Sequence, residues 1–204
     1  MKIKLGLENL SVADVARYCG GELYDYTEDT GCFFSYVCTD SREADGETLF
    51  IATRGERVDG HDYIGAAIAN GCRVILCEEL REEIGAANAV AILCKNVEDA
   101  LSKLAKNYRR NLSCQTVAVT GSVGKTTTKE LIAAVLKKKY NVLYTQGNLN
   151  NHIGVPKTLL QLNKEHQIAV IEMGANHPGE IKALTEIVQP DYGIITNVGK
   201  AHLL

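Results

Sequence analysis

No segment of this chain stays apolar long enough to span a membrane, and the first residues, Met1-Lys-Ile-Lys-Leu-Gly-Leu-Glu8, lack the apolar core of a secretory signal. The expected compartment is therefore the cytoplasm. No Cys-x-x-Cys spacing occurs among the seven cysteines, at positions 19, 32, 38, 72, 77, 94 and 114. Odd in number and mostly set beside apolar residues, they are expected to be buried reduced thiols. Nor is there an excess of one charge. Lys and Arg total 22 against 25 Asp and Glu, for a formal net charge of −3 with both signs interspersed. That removes the electrostatic case for a nucleic-acid or membrane partner. What is present, across 204 residues with 46% hydrophobic and 23% charged, is the composition of a soluble globular protein of one or two domains.

The pattern reads in two parts. Ser11 is a helix N-cap for a short helix to Cys19, with Gly20-Gly21 as its stop. Strand-like runs follow at Phe33 to Thr39, Leu49 to Thr53, Arg73 to Cys77 and Ala89 to Leu93, with helices from His61 to Asn70 and from about Val97 to Arg110. Asn111 to Gln115 reads as a linker, which divides the chain into residues 1–113 and 114–204. Beyond it strands alternate with helices, so a parallel sheet covered on both faces is expected. The strands are placed at Thr116 to Val119, Asn141 to Gln146, Ile168 to Met173 and Tyr192 to Val198. The helices follow Lys125, run from Ile153 to Leu162 with Pro156 in the first turn, and begin at Pro178. On the helix opening at Lys125, the pairs Leu131/Val135 and Ile132/Leu136 at i,i+4 spacing are expected to form the face that meets the sheet.

The chemistry concentrates at three strand ends, where ligands gather in open α/β sheets. The first is Val119-Thr-Gly-Ser-Val-Gly-Lys-Thr-Thr-Thr128. Gly121 and Gly124 let the backbone turn tightly around an anion, leaving the amides of Ser122, Val123 and the helix N-terminus directed at it. Lys125 is placed to reach β- and γ-phosphates, Thr126 to hold Mg2+, and Thr127 to lie beside the nucleotide. Val119 stands where the full Walker pattern has its first glycine, so only Gly-x-x-Gly-Lys-Thr remains, and a plain glycine turn before a helix is the alternative. The second end carries Glu172, a carboxylate closing an apolar strand. A Mg2+ ion would resolve its burial cost, and a capping or salt-bridged glutamate would do so equally. The third, Asn197-Val-Gly-Lys-Ala-His202, brings Asn197 and His202 to the same edge, although a lone histidine is more often a surface or packed residue.

Together, Thr120 to Thr128, Glu172 and Thr196-Asn-Val-Gly-Lys-Ala-His202 resemble the central ATPase domain of the Mur ligases, which build the peptide stem of bacterial cell-wall precursors. Thr39-Asp-Ser-Arg-Glu-Ala-Asp-Gly-Glu-Thr-Leu-Phe-Ile-Ala-Thr-Arg-Gly55 and Asp59-Gly-His61 resemble the N-terminal domain of that family. Gly147-Asn-Leu-Asn-Asn-His-Ile-Gly-Val-Pro156 and Glu172-Met-Gly-Ala-Asn-His-Pro-Gly-Glu-Ile181 are similar to its D-alanyl-D-alanine-adding branch.

The resemblance implies a small mixed α/β domain followed by part of a P-loop-type parallel-sheet ATPase domain. It implies ATP and Mg2+ as cofactors, and UDP-N-acetylmuramoyl-tripeptide and D-alanyl-D-alanine as substrates. The substrates are joined through an acyl phosphate, because an amine cannot expel oxide from a carboxylate. Lys125, Glu172 and His202 take the catalytic places; Thr126 and Glu172 hold one Mg2+ and His202 a second. Asn148, Asn151 and Asn197 fall to the nucleotide, and Asn150, Ser41, Arg42, Asp59 and His61 to the sugar-nucleotide substrate. Read by residue type alone, the asparagines could equally form turns, Asp40-Ser-Arg42 a capped turn with a surface ion pair, and Asp59-Gly-His61 an ordinary helix start. A monomer is expected. The family extends past the position of Leu204, so this stretch alone is expected to be inactive as a ligase. A non-catalytic UDP-sugar or ATP-binding module is the rival reading. A sister ligase adding the third stem residue and a folate-polyglutamate-type ligase are rivals within enzymes, and Asn148 to Pro156 argues against both.

Overall fold

The computed structural model describes residues 2–7, 10–25, 34–55 and 58–199. Its elements run β1 (Lys2–Lys4), α1 (Val12–Cys19), β2 (Glu22–Tyr24), β3 (Tyr36–Cys38), β4 (Thr48–Ile51), α2 (Ile64–Ala69), β5 (Val74–Cys77), α3 (Glu82–Ala86), β6 (Val90–Leu93) and α4 (Val97–Arg110). They continue with β7 (Gln115–Thr120), α5 (Lys125–Leu136), β8 (Val142–Tyr144), α6 (Gly154–Leu159), β9 (Ile168–Glu172), α7 (Glu180–Val188) and β10 (Tyr192–Ile195). Among the described residues no helix is long and apolar enough to cross a membrane.

The chain divides into two compact units, Met1–Leu104 and Ala105–Leu204. The division falls inside α4, earlier than the linker read from composition. The last turns of α4 bond into the second unit: Tyr108 donates its hydroxyl to the Leu162 carbonyl at 2.9 Å, and Arg109 donates to the Cys114 carbonyl and the Thr116 hydroxyl.

The first unit is a mixed sheet in the order β1-β3-β4-β5-β6-β2. Its centre, β3 to β6, is parallel, and β1 and β2 close the edges antiparallel. Every residue of β4 and β5 is buried. Such unbroken burial is what helices on both faces of a parallel sheet impose, and it makes these strands the most legible ones in the sequence. The edges β1 and β2, three residues each, carry too short a pattern to stand out. Ser11 caps α1 through a reciprocal box with Asp14, and Gly20 ends it. All six described cysteines are free thiols, five of them buried. Phe33 and Cys32 lie outside the described residues.

The second unit is a parallel sheet in the order β10-β7-β9-β8. Register places Val119 at the end of β7 opposite Glu172 at the end of β9, so the loop leaving β7 opens beside that carboxylate. Two sequence expectations change here. On α5, Ile132 and Leu136 pack on the core with Val119 and Val170, but Leu131 and Val135 point outward, 63% and 71% exposed. Lys129 and Ala133 complete the inward face instead. A stripe centred on Lys129, Ile132, Ala133 and Leu136 follows the 3.6-residue repeat, and the other i,i+4 pair lies on the opposite side. Likewise α7 begins at Glu180 rather than Pro178, because Gly179 is its N-cap and the Glu180 carboxylate accepts from the Asn176 and His177 amides of the preceding turn.

Candidate functional site

The loop between β7 and α5 is built by its glycines and held by its neighbours. Gly121 has φ +137°, and a Cβ there would sit 2.2 Å from the Thr196 hydroxyl and 3.0 Å from the Asn197 amide nitrogen. Gly124, with φ +84°, turns the chain into α5 as its N-cap. Lys125 folds back so that its ammonium donates to the Gly121 carbonyl at 2.7 Å and lies 3.4 Å from that of Ser122. The segment after β10 braces the other side. Val123 donates its amide to Asn197 Oδ1 at 2.9 Å, Ser122 pairs through its hydroxyl with the backbone of Gly199, and the Thr196 hydroxyl donates to the Val123 carbonyl at 2.6 Å.

Opposite the loop, Glu172 is 1% exposed. Its Oε1 accepts from the Thr126 hydroxyl at 3.1 Å and from the Asn150 side-chain amide at 2.8 Å, while Oε2 has no hydrogen-bond partner. Thr145 fixes the backbone beneath, accepting the Glu172 amide on its own hydroxyl at 2.9 Å. A buried carboxylate whose Oε1 sits beside a threonine hydroxyl at the head of α5, next to a phosphate-type loop, is a donor set that suits a hard divalent cation. Mg2+ is commonly held by one or two carboxylates with substrate phosphates completing its shell. Among the described residues no group of three or more His, Cys, Asp or Glu could hold a metal by itself. A cleft of about 510 Å3 adjoins the loop, lined among others by Thr120, Gly121, Lys125, Asn176, His177 and Asn197.

The structure therefore brings Gly121, Ser122, Val123, Gly124, Lys125, Thr126, Glu172, Asn150 and Asn197 together. Thr127 lies on α5 one position beyond Thr126. Asn151 is spent locally, its Oδ1 accepting from the Ile153 and Gly154 amides ahead of α6, and Asn148 contributes its carbonyl to the Asn150 amide. These two do form a turn. His202 lies outside the described residues. The sequence does not single out Lys129 or Thr145, and Thr196 stands out only as the start of the Thr196–His202 motif. The available signal was positional: Lys129 is four residues, about one helical turn, beyond Lys125, and Thr145 lies near the end of the expected strand Asn141 to Gln146.

In the first unit, Ser41 is buried and Arg42 projects outward. Arg42 grips Asp40 through two hydrogen bonds, at 2.8 and 2.6 Å, and takes the Asp40 cap on its own amide. That pairing holds the Asp40 carboxyl well below the usual carboxylate range. Asp59 caps the 3-10 turn Gly60–Tyr63 by accepting the His61 amide. The fully buried His61 ring accepts the Glu78 amide on Nε2 at 2.9 Å, so its proton resides on Nδ1, 2.6 Å from Asp59 Oδ1. The hydrogen bonds from the His61 amide and then its ring lower the Asp59 pKa. Both ring nitrogens are thus engaged within the protein. Arg54, which the sequence reading did not single out, ion-pairs with Asp59 at 3.2 Å, Glu78 at 3.5 Å and Glu79 at 3.6 Å.

Comparison with known proteins places this geometry. The family models for the Mur ligase catalytic domain and the Mur ligase middle domain match residues 34–109 and 119–203 respectively. The chain is 44% identical over 167 residues to the UDP-N-acetylmuramoyl-tripeptide–D-alanyl-D-alanine ligase of Synechocystis, covering 82% of this chain and 37% of that protein. For the Bacillus subtilis ligase of the same name the identity is 42%, with 82% and 36% covered. A crystal structure of MurF from Acinetobacter baumannii superposes with a TM-score of 0.87 at 37% identity, over 98% of this chain and 43% of that one. The Thermotoga maritima MurF ligase in complex with ADP gives 0.74 at 37% identity, over 87% and 40%. The chain thus spans well under half the length of these relatives, and over that span, from the first sheet to the Glu172 strand end and the loop after β10, it belongs to the Mur ligase family.

Proposed function

We propose that this chain supplies the sugar-nucleotide-binding and ATP-binding parts of a ligase that joins D-alanyl-D-alanine to UDP-N-acetylmuramoyl-tripeptide. The observation that carries the reading is the convergence of Lys125, Thr126, Asn150 and Glu172 on one loop. The identity to ligases of that name and the likeness to a relative holding ADP support it.

In this reaction a tripeptide carboxylate oxygen takes the γ-phosphoryl group, and ADP leaves. The dipeptide amine then attacks the acyl carbon, losing a proton, and phosphate departs with the C–O electron pair. Lys125 releases the loop carbonyls it holds and turns to the β- and γ-phosphate oxygens, stabilising charge on the group in transfer. The loop amides bind the same phosphates. Thr126 and Glu172 are the residues that would hold Mg2+, whose part is to neutralise phosphate charge. Asn150 keeps Glu172 Oε1 turned to the site. Ser41, Arg42, Asp59 and His61 are assigned to the UDP-sugar end, with His61 acting through Asp59 and Glu78, since its own nitrogens are taken.

The test is phosphate release by the full-length protein given ATP, Mg2+, UDP-N-acetylmuramoyl-tripeptide and D-alanyl-D-alanine. Release that requires both peptide substrates, with formation of the pentapeptide product, supports the reading. Release that ignores the dipeptide would refute it.

A further inference from the structure

Lys129 is fully buried, 0% exposed, on the inward face of α5. Its ammonium donates to the Thr145 carbonyl at 2.7 Å, pairs with Glu130 Oε1 at 2.7 Å, and lies 4.0 Å from Glu172 Oε2 and 5.5 Å from the Tyr144 ring centre. The neighbouring inward positions are Ile132, Ala133 and Leu136, so an apolar side chain would satisfy the packing. Burying an ammonium is costly, and replacing buried ion pairs by apolar residues is often neutral or stabilising. Stability alone therefore does not account for this lysine.

Its position relative to Glu172 does. Oε2, which lacks a hydrogen-bond partner, is the oxygen on the Lys129 side, while Oε1 takes the Thr126 and Asn150 bonds. The ammonium stands within ion-pair range of Oε2 without a hydrogen bond to it, while Oε1 faces the Thr126 hydroxyl. Through the carbonyl of Thr145 it also anchors the residue whose hydroxyl accepts the Glu172 amide. One buried cation thus stands beside the free oxygen of the strand-end carboxylate and, through Thr145, ties the backbone beneath it.

We propose that Lys129 is a positioning residue for the nucleotide site, setting the orientation of Glu172 and hence the Mg2+-dependent part of nucleotide affinity. The inference rests on the ATP-binding role proposed above. Without the ammonium the buried carboxylate is uncompensated, and it turns from Thr126 to find another partner.

The experiment titrates ADP, with and without Mg2+, into the full-length wild-type protein and its Lys129→Met variant by calorimetry, alongside thermal denaturation. The wild type should bind ADP more tightly with Mg2+. Lys129→Met should reduce that gain about 10- to 100-fold, the usual effect of removing a group that orients a metal ligand, while metal-free ADP affinity stays within about twofold because the loop amides and Lys125 remain. Should Lys129→Met fail to fold, Lys129→Gln keeps a donor for the Thr145 carbonyl without the charge and is expected to show the same loss. An unchanged Mg2+-dependent gain in the folded variant overturns the proposal. So does an equal loss with and without Mg2+, which would make Lys129 a structural tie only. A wild type that binds ADP without any Mg2+-dependent gain overturns the Mg2+ role assigned to Thr126 and Glu172, and this inference with it. A wild type that binds no ADP at all refutes the nucleotide site itself.

Discussion

The Thr126 hydroxyl meets the Glu172 carboxylate at 3.1 Å although the two residues stand 46 positions apart in the chain. Thr126 lies in the first turn of α5 and Glu172 closes β9, and the parallel register of β7 with β9 brings those ends together. The pair is the point at which the end of the β7–α5 loop meets a carboxylate. Glu172→Gln keeps the shape and the neighbouring bonds but removes the charge. Under the function proposed above, it is expected to raise the Mg2+ concentration needed for half-maximal phosphate release by the ligase, because a neutral amide is a poorer ligand for a hard cation. A Mg2+ dependence indistinguishable from wild type would return Glu172 to a purely structural role.

Under the function proposed above, Lys125→Ala should abolish most turnover of the ligase while leaving UDP-substrate binding largely intact, since the lysine is assigned to the phosphates. Loss of a preorganised contact of this kind costs on the order of 10²- to 10³-fold in rate. Steady-state kinetics paired with calorimetric binding of UDP-N-acetylmuramoyl-tripeptide separates the two effects. A variant retaining most ATP-dependent activity would show that the loop has been misassigned.

Glu180 ties the turn after β9 by accepting the Asn176 amide at 2.7 Å and the His177 amide at 3.2 Å, and these bonds depress its pKa. A depressed carboxyl contributes stability that is complete above the unfolded-state value, about 4.3, and is lost as pH falls through the lower folded value. Below about pH 4.3 the Asn176 and His177 amides should therefore lose hydrogen-exchange protection progressively. Glu180→Gln should weaken that protection at neutral pH and flatten its pH dependence. NMR exchange rates across the acid range check this, and protection independent of both pH and the substitution would contradict it.

The outward and inward faces of α5 should respond differently to substitution. Leu131→Gln, at an exposed position, is expected to change the stability of the 204-residue chain by no more than about 0.5 kcal/mol. Ala133→Leu, at a position 1% exposed against the sheet, should cost about 1–3 kcal/mol through overpacking. Urea denaturation of the two variants measures both. A large loss at Leu131 would mean that this face packs against something.

Several elements could be read before any coordinates because their information is local. Ser11 and Gly20 mark the ends of α1, α4 runs from Val97 to Arg110 as expected, and the apolar runs of β4 and β5 stand out as strands. The loop between β7 and α5 is legible for the same reason, since its glycines set the turn through backbone geometry within a few residues. Other features depend on which distant groups share a space. Leu131/Val135 and Ile132/Leu136 have the same spacing, and only packing against β8 and β9 decides which pair faces the core. Likewise Arg42 and Asp40, Asn151 and the start of α6, and His61 between Asp59 and Glu78 reveal their engagements only once the chain has folded. The residue types around the β7–α5 loop were written in the sequence. That Lys129 and Thr145 stand behind Glu172 was decided by strand order and register, because a buried charge is defined by partners that come from elsewhere in the chain.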